Sequence, residues 1–206
     1  AECLDYIFVD SLMNQSGNKV WPVFINGKDA PTNTIVSYGG DPTNINQIKT
    51  FIQSNLQGNG NGKTCIGCAI NKGYDVLKVG SDPTRRKFIV LMTDGVPTHC
   101  GQGSCSNSNS SIYGSQICGG YCDVPGSNCE YEGCTDNKCD DAIKNAIYAA
   151  NRSKIDQNIT IFTIGFGITG CNPATNTLQQ IATMTGGKFY ASSNVIELEQ
   201  IYRNIS

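Results

Sequence analysis

The sequence predicts an α/β fold, with a doubly wound, mostly parallel sheet flanked by helices. Three observations predict it. Helical and strand periodicities alternate along almost the whole chain, the pattern that makes consecutive strands parallel. KFIVLM at 87–92 is a continuous apolar run, as strands buried on both faces are, and ITIFTIGFG at 159–167 reads as another buried strand with a glycine-rich end. Finally, 206 residues of which 39 % are hydrophobic suffice for one sizeable core, so 1–206 reads as a single domain.

Taken in order, Leu4, Ile7, Phe8 and Leu12 recur at helical spacing and predict an amphipathic helix over 1–13. KVWPVFIN at 19–26 reads as a strand, although Pro22 removes one ladder donor. TIVSY at 34–38 is a second strand. Asp41 or Thr43 is placed to cap a helix striped by Ile45, Ile48, Ile52 and Leu56. The loop GNGNGK leads into a helix bearing Ile66, Ala69, Ile70 and Leu77. KFIVLM follows and stops at Thr93-Asp94-Gly95. Residues 97–138 show no periodicity and are dominated by Gly, Ser, Asn and Cys, so they read as a cysteine-rich insertion ordered by its own cross-links. Beyond it, Ile143, Ala146, Ile147 and Ala150 line a helix, ITIFTIGFG forms a strand, and Leu178–Met184 is a short helix. KFYAS is the last strand, and Val195, Leu198, Ile201, Tyr202 and Ile205 mark a closing helix.

A formal net charge of −2 with one histidine offers no basic stripe for nucleic acid or an anionic membrane. No apolar run approaches the roughly 18 residues of a membrane span, and no signal peptide is seen, so a mature or processed form is expected. Eleven cysteines, seven of them between Cys100 and Cys139, mean disulfides in an oxidising compartment or zinc in a reducing one. The spacings contain no paired C-x2-C motif, which favours disulfides and an extracellular or cell-surface setting. Cys65, Cys68, Cys100, Cys105, Cys118, Cys122, Cys129, Cys134, Cys139 and Cys171 are the candidates for pairing, and Cys3 is the natural orphan. Sequons at Asn14, Asn109, Asn151, Asn158 and Asn204 permit glycosylation without establishing it.

Four segments in order, GKTCIGCAI, KFIVLMTDG, ITIFTIGFG and ATMTGGKFY, resemble the von Willebrand factor A family over nearly the whole chain. The resemblance implies an adhesion site for Mg2+ or Ca2+ at the carboxyl edge of the sheet, where a hard cation held by oxygens keeps one position for a partner's carboxylate. Thr64 matches the family's coordinating threonine and Asp94 its aspartate. Without the resemblance, Thr64 reads as a helix cap and Asp94 as a turn residue.

The family's first motif, Asp-x-Ser-x-Ser, is not found; Asp10-Ser11 falls inside the first helical pattern. FVDSLMNQSGNKVWPVFINGKDA aligns better with the family's first helix and second strand, so a strand expected beside KFIVLM is unaccounted for. An open row of buried amides and carbonyls costs several kcal/mol. Residues upstream of Ala1, a strand donated by another chain, or a reorganised fold are the three ways to resolve this. A cation site is expected only if an upstream segment completes it; the 206-residue chain alone should bind Mg2+ weakly or not at all.

Other constellations carry less. Cys65-x-x-Cys68 opens a helix as redox motifs do, but its setting after GNGNGKT favours a structural bond. His99 has no second histidine to make a metal site, GNGNGK lacks phosphate-loop spacing, and no nucleophile-base arrangement can be assembled, so an enzyme is not expected. The insertion leaves the same sheet edge as Asp94 and would present Tyr113, Tyr121 and Tyr131 there. The expected function is an extracellular binding module for a protein or cell-surface ligand. The alternative is a structural subunit of a filament or complex whose missing strand another chain supplies.

Overall fold

The structure, a computed structural model, describes residues 18–29, 32–55, 64–80, 84–95, 97, 137–168 and 172–205. The expected helix over 1–13 and nearly all of the insertion lie outside them. Strand β1 (Val23–Asp29) pairs antiparallel with β2 (Thr32–Ser37). Helices α1 (Ile45–Asn55) and α2 (Ile66–Gly80) follow, then β3 (Phe88–Thr93) and α3 (Asn137–Gln157). The chain closes with β4 (Thr160–Phe166), α4 (Asn172–Thr185), β5 (Phe189–Ser192) and α5 (Val195–Ile205). The parallel sheet has the order β3-β4-β5, with Thr93 opposite Gly165 and Phe166 opposite Ser192.

Several boundaries differ from expectation for local reasons. The first strand begins at Val23 rather than Lys19 because Pro22 has no N–H to give a ladder. Its carbonyl instead accepts from the Tyr38 amide at 3.0 Å. Neither Asp41 nor Thr43 caps α1: Asn44 does, its Oδ1 accepting from the Gln47 amide at 3.1 Å. Asp41 is taken up one turn earlier by the amide and hydroxyl of Thr43, at 2.9 and 2.7 Å. Helix α4 is twice the expected length because Pro173 lies in its first turn, where an amide would have no helical partner.

One face of the parallel sheet is sealed by α2, α3 and α4. Ile159, Ile161, Leu178 and Ile181 are fully buried there with Ile66 and Ile70, and Leu91 is buried beside them. Each fully buried aliphatic contributes about 1.5–3 kcal/mol. Ala146, Ala149 and Ala150 let α3 lie close to its neighbours. Thr185 fastens α4 to the sheet, accepting from the Ile161 amide at 3.0 Å and donating to the Ile181 carbonyl at 2.9 Å. Helix α5 covers the other face, placing Leu198, Ile201 and Tyr202 on Ile164. Helices on both faces make the sheet doubly wound.

The second face departs from the expectation of a strand buried on both sides. Phe88 and Met92 of β3 remain 48 % and 43 % exposed: on this face of β3 the α5 cluster covers part of Val90, and the Tyr202 hydroxyl donates to the Met92 sulfur at 3.3 Å. Among the described residues β3 pairs only with β4 and β1 only with β2. The strand expected between β1 and β3 is not among them, and the two do not pair directly.

Candidate functional site

Parallel strands deliver all their carboxyl ends to one edge, which is where open α/β sheets bind ligands. Here that edge gathers Thr93-Asp94-Gly95 after β3, Gly167-Ile168 after β4 and Ser192-Ser193-Asn194 after β5. Two of the turns are closed by bonds between residues two apart, and a third bond ties two strand ends together. The Gly95 amide donates to Thr93 Oγ1 at 3.2 Å, closing the turn on which the exposed Asp94 stands. Gly167, at φ 69°, donates to the Ser192 carbonyl at 2.8 Å and links the ends of β4 and β5. Ser192 Oγ donates to the Asn194 carbonyl at 2.7 Å.

Thr64 arrives from another part of the chain, just ahead of α2. A Cβ on Gly95 would lie 3.1 Å from Thr64 Oγ1, so the threonine hydroxyl sits against the Asp94-Gly95 turn. A side chain at position 95 would crowd that hydroxyl by a few tenths of an ångström. The two residues assigned by resemblance to the metal site are therefore neighbours in space, although about 30 positions separate them in sequence.

The start of α2 is built unusually. Cys65 and Cys68 are joined by a disulfide, with Cα atoms 5.2 Å apart. Cys65 is the N-cap: its carbonyl accepts from the Ala69 amide at 3.1 Å and its sulfur from the Cys68 amide at 3.3 Å. Behind this turn Gly67 presses on the side chain of the buried Asn145 of α3, where a Cβ would collide with the amide oxygen. By contrast α5 is capped with oxygen. Asn194 Oδ1 accepts from the Glu197 amide at 3.0 Å, and the Glu197 carboxylate reaches back to the Ser193 amide at 2.9 Å. That backbone hydrogen bond is the main reason the Glu197 carboxyl titrates below its usual range.

A hard divalent cation takes six or more oxygens. Thr64 and Asp94 would supply a hydroxyl and a carboxylate toward such a set, and no cluster of three His, Cys, Asp or Glu residues occurs among the described residues. Asn151, Asn158 and Asn204 are all exposed, as a glycan would require. Cys139 lies in α3, but its side chain is not described. Cys3, Cys100, Cys105, Cys118, Cys122, Cys129, Cys134 and Cys171 lie outside the described residues, with Asn14, Asn109, His99, Tyr113, Tyr121 and Tyr131. Sequence reasoning missed Gly95, Asn145 and the Asn194–Glu197 cap. Only the cap had a signal, an Asn followed three residues later by Glu.

An open parallel sheet wound on both faces, with its loops and Thr64 gathered at the carboxyl edge, defines the class of doubly wound α/β domains. Within that class the chain has a von Willebrand factor A-type fold, as its structural neighbours show. It is similar to the pilus adhesin SpaC from Lactobacillus rhamnosus GG, with a TM-score of 0.67 and 17 % identity over 99 % of this chain and 27 % of that one. It is also similar to the PilB minor pilin from Streptococcus sanguinis, with a TM-score of 0.65 and 16 % identity over 99 % of this chain and 52 % of that one. The vWF domain of the type V pili tip protein Mfa5 from Porphyromonas gingivalis superposes with a TM-score of 0.63 at 13 % identity, covering 100 % of this chain and 86 % of that one. The chain thus spans about a quarter of the SpaC chain and about half of PilB. No protein-family profile and no curated protein matches the sequence. Among the described residues no helix is long and apolar enough to cross a membrane.

Proposed function

We propose that this chain is an extracellular adhesion module of von Willebrand factor A type that binds a protein or cell-surface ligand through the carboxyl edge of its parallel sheet. The observation carrying this reading is the seating of Thr64 Oγ1 against the Asp94-Gly95 turn. Two distant segments meet there, beside a turn that carries the exposed Asp94. Neighbours described as a pilus adhesin, a minor pilin and a pilus tip protein support a surface-displayed role. The module binds rather than catalyses. If a further oxygen-rich segment completes the shell, Thr64 and Asp94 would hold Mg2+ or Ca2+, and the cation would present an open position to a partner's carboxylate.

The test is retention of beads coated with the full 206-residue chain on surfaces bearing matrix proteins or whole cells. Wild-type beads should be retained, and beads carrying Thr64→Ala/Asp94→Ala should wash off. Equal retention of both would remove the edge from the account.

A second reading, a structural subunit completed by a strand from another chain, is favoured by one observation. Strand β3 pairs on one side only among the described residues, and it leaves Phe88 and Met92 half exposed. Light scattering during size-exclusion chromatography decides it. A strand-exchanged assembly should run as a multimer that Val90→Pro dissolves, whereas a monomer unaffected by that change excludes it.

A further inference from the structure

From the way α2 begins, we infer that the Cys65–Cys68 disulfide is a positioning clamp for the ligand-binding edge. It holds Thr64 against the Asp94-Gly95 turn. The inference rests on the edge reading above, but it makes a claim about mechanics that can be tested apart from it.

The first four amides of any helix lack helical partners, and a side-chain oxygen at the N-cap ordinarily satisfies one of them. In α2 the acceptor is the sulfur of Cys65, a weak one, reached by the Cys68 amide at 3.3 Å. No acidic residue in the first turn supplements it through the helix dipole. By hydrogen bonding alone, this turn should fray. The disulfide removes that freedom by closing the N-cap covalently onto the third helical residue.

The clamped turn is also wedged in place. Cys65 is 2 % exposed, and Gly67 rests on Asn145 of α3, which is itself 2 % exposed. The residue immediately before the clamp is Thr64, whose hydroxyl meets Gly95. A turn that cannot unwind on one side and is pressed on α3 on the other leaves Thr64 little room to move. Binding at the edge then costs less ordering entropy than it would with a loose threonine. Thr64 is the contacting residue, and the cysteines act through it.

Amide exchange on the full chain reads this directly, comparing wild type with Cys65→Ala/Cys68→Ala and Cys65→Ser/Cys68→Ala. The first variant loses both acceptor and clamp. The second restores a hydroxyl cap of the ordinary kind without the covalent closure. Closing a loop of four residues suppresses local opening about twentyfold in the chain-entropy account. Exchange at 66–69 should therefore quicken about ten- to twentyfold in the double alanine variant. The Gly95 amide should quicken with it, while amides of α4 and α5 keep their rates. The serine variant should recover the helix amides in part and Gly95 hardly at all. Unchanged Gly95 exchange in the double alanine variant would overturn the clamp, and so would full recovery with serine, which would reduce the disulfide to a cap. Bead retention separates the two readings. Loss of retention in both variants supports the clamp, whereas wild-type beads that never adhere defeat the proposed function and leave the exchange result to decide the clamp.

Discussion

Helices α2 and α5 both start at the carboxyl edge of the sheet, and they are secured by opposite chemistries. Helix α5 uses oxygen: Asn194 caps it and the Glu197 carboxylate returns to the Ser193 amide. Those bonds are exposed, exchangeable with water and dependent on charge. Helix α2 uses sulfur: the Cys65 cap is a poor acceptor, and a covalent bond to Cys68 makes up the difference. That bond does not titrate and needs no ordered water. The edge therefore has one end fixed by pH-sensitive hydrogen bonds and another fixed covalently. The covalent end is the one next to Thr64, which lies against the Asp94-Gly95 turn.

The comparison breaks most visibly where the covalent end is cut. Cys65→Ala/Cys68→Ala should lower unfolding free energy by about 2 kcal/mol in urea titration, the entropy of closing so short a loop. Next is the wedge behind it. Gly67→Ala gains about 1 kcal/mol of helix propensity. It loses about 2–3 kcal/mol to overpacking against Asn145. The net should be destabilisation by about 1–2 kcal/mol, and thermal melting will show whether the clash outweighs the propensity. At the oxygen end, Asn194→Ala should cost about 1 kcal/mol, the ordinary value of a helix cap.

The smallest effect is the most discriminating. The Glu197 carboxyl is lowered in the folded state, chiefly by the Ser193 amide. A depressed carboxyl contributes stability above its unfolded pKa and loses it as pH falls through the folded one. Acidification into and below the usual glutamate range should therefore lower the protection of amides at the start of α5, measured as the exchange rate relative to the intrinsic rate at each pH, and leave the protection of 66–69 unchanged. Glu197→Gln should flatten the α5 profile. A matching acid response at both helix starts would mean that the two ends are not secured differently after all.

Much of this arrangement was legible in the residues. The apolar stripes of Ile45/Ile48/Ile52 and Leu198/Ile201/Tyr202 mark their helices because burial repeats with helical period. The apolar runs KFIVLM and ITIFTIGFG mark the parallel strands for the same kind of reason. Local competition was not legible: Asp41, Thr43 and Asn44 are all credible caps, and only geometry shows Asp41 bonded to Thr43 and Asn44 on the helix. Nor was the exposure of Phe88 and Met92, since apolarity says what a side chain prefers and not what covers it. Thr64 and Asp94 could be named by resemblance. That Thr64 lies against Gly95 depends on a contact about 30 residues away in sequence, which no local pattern encodes.

Ligand meeting the carboxyl edge, where Thr64 lies against the Asp94-Gly95 turn, would be read by amide exchange on the chain while it is held by an adhesive surface. Binding there should slow exchange at 93–95, 167–168 and 192–194. The opposite edge, at 87–88, 159–160 and 188–189, should exchange as in the free chain. Slowing confined to the opposite edge, or to β3 around Phe88 and Met92 with 93–95 unchanged, would contradict the account.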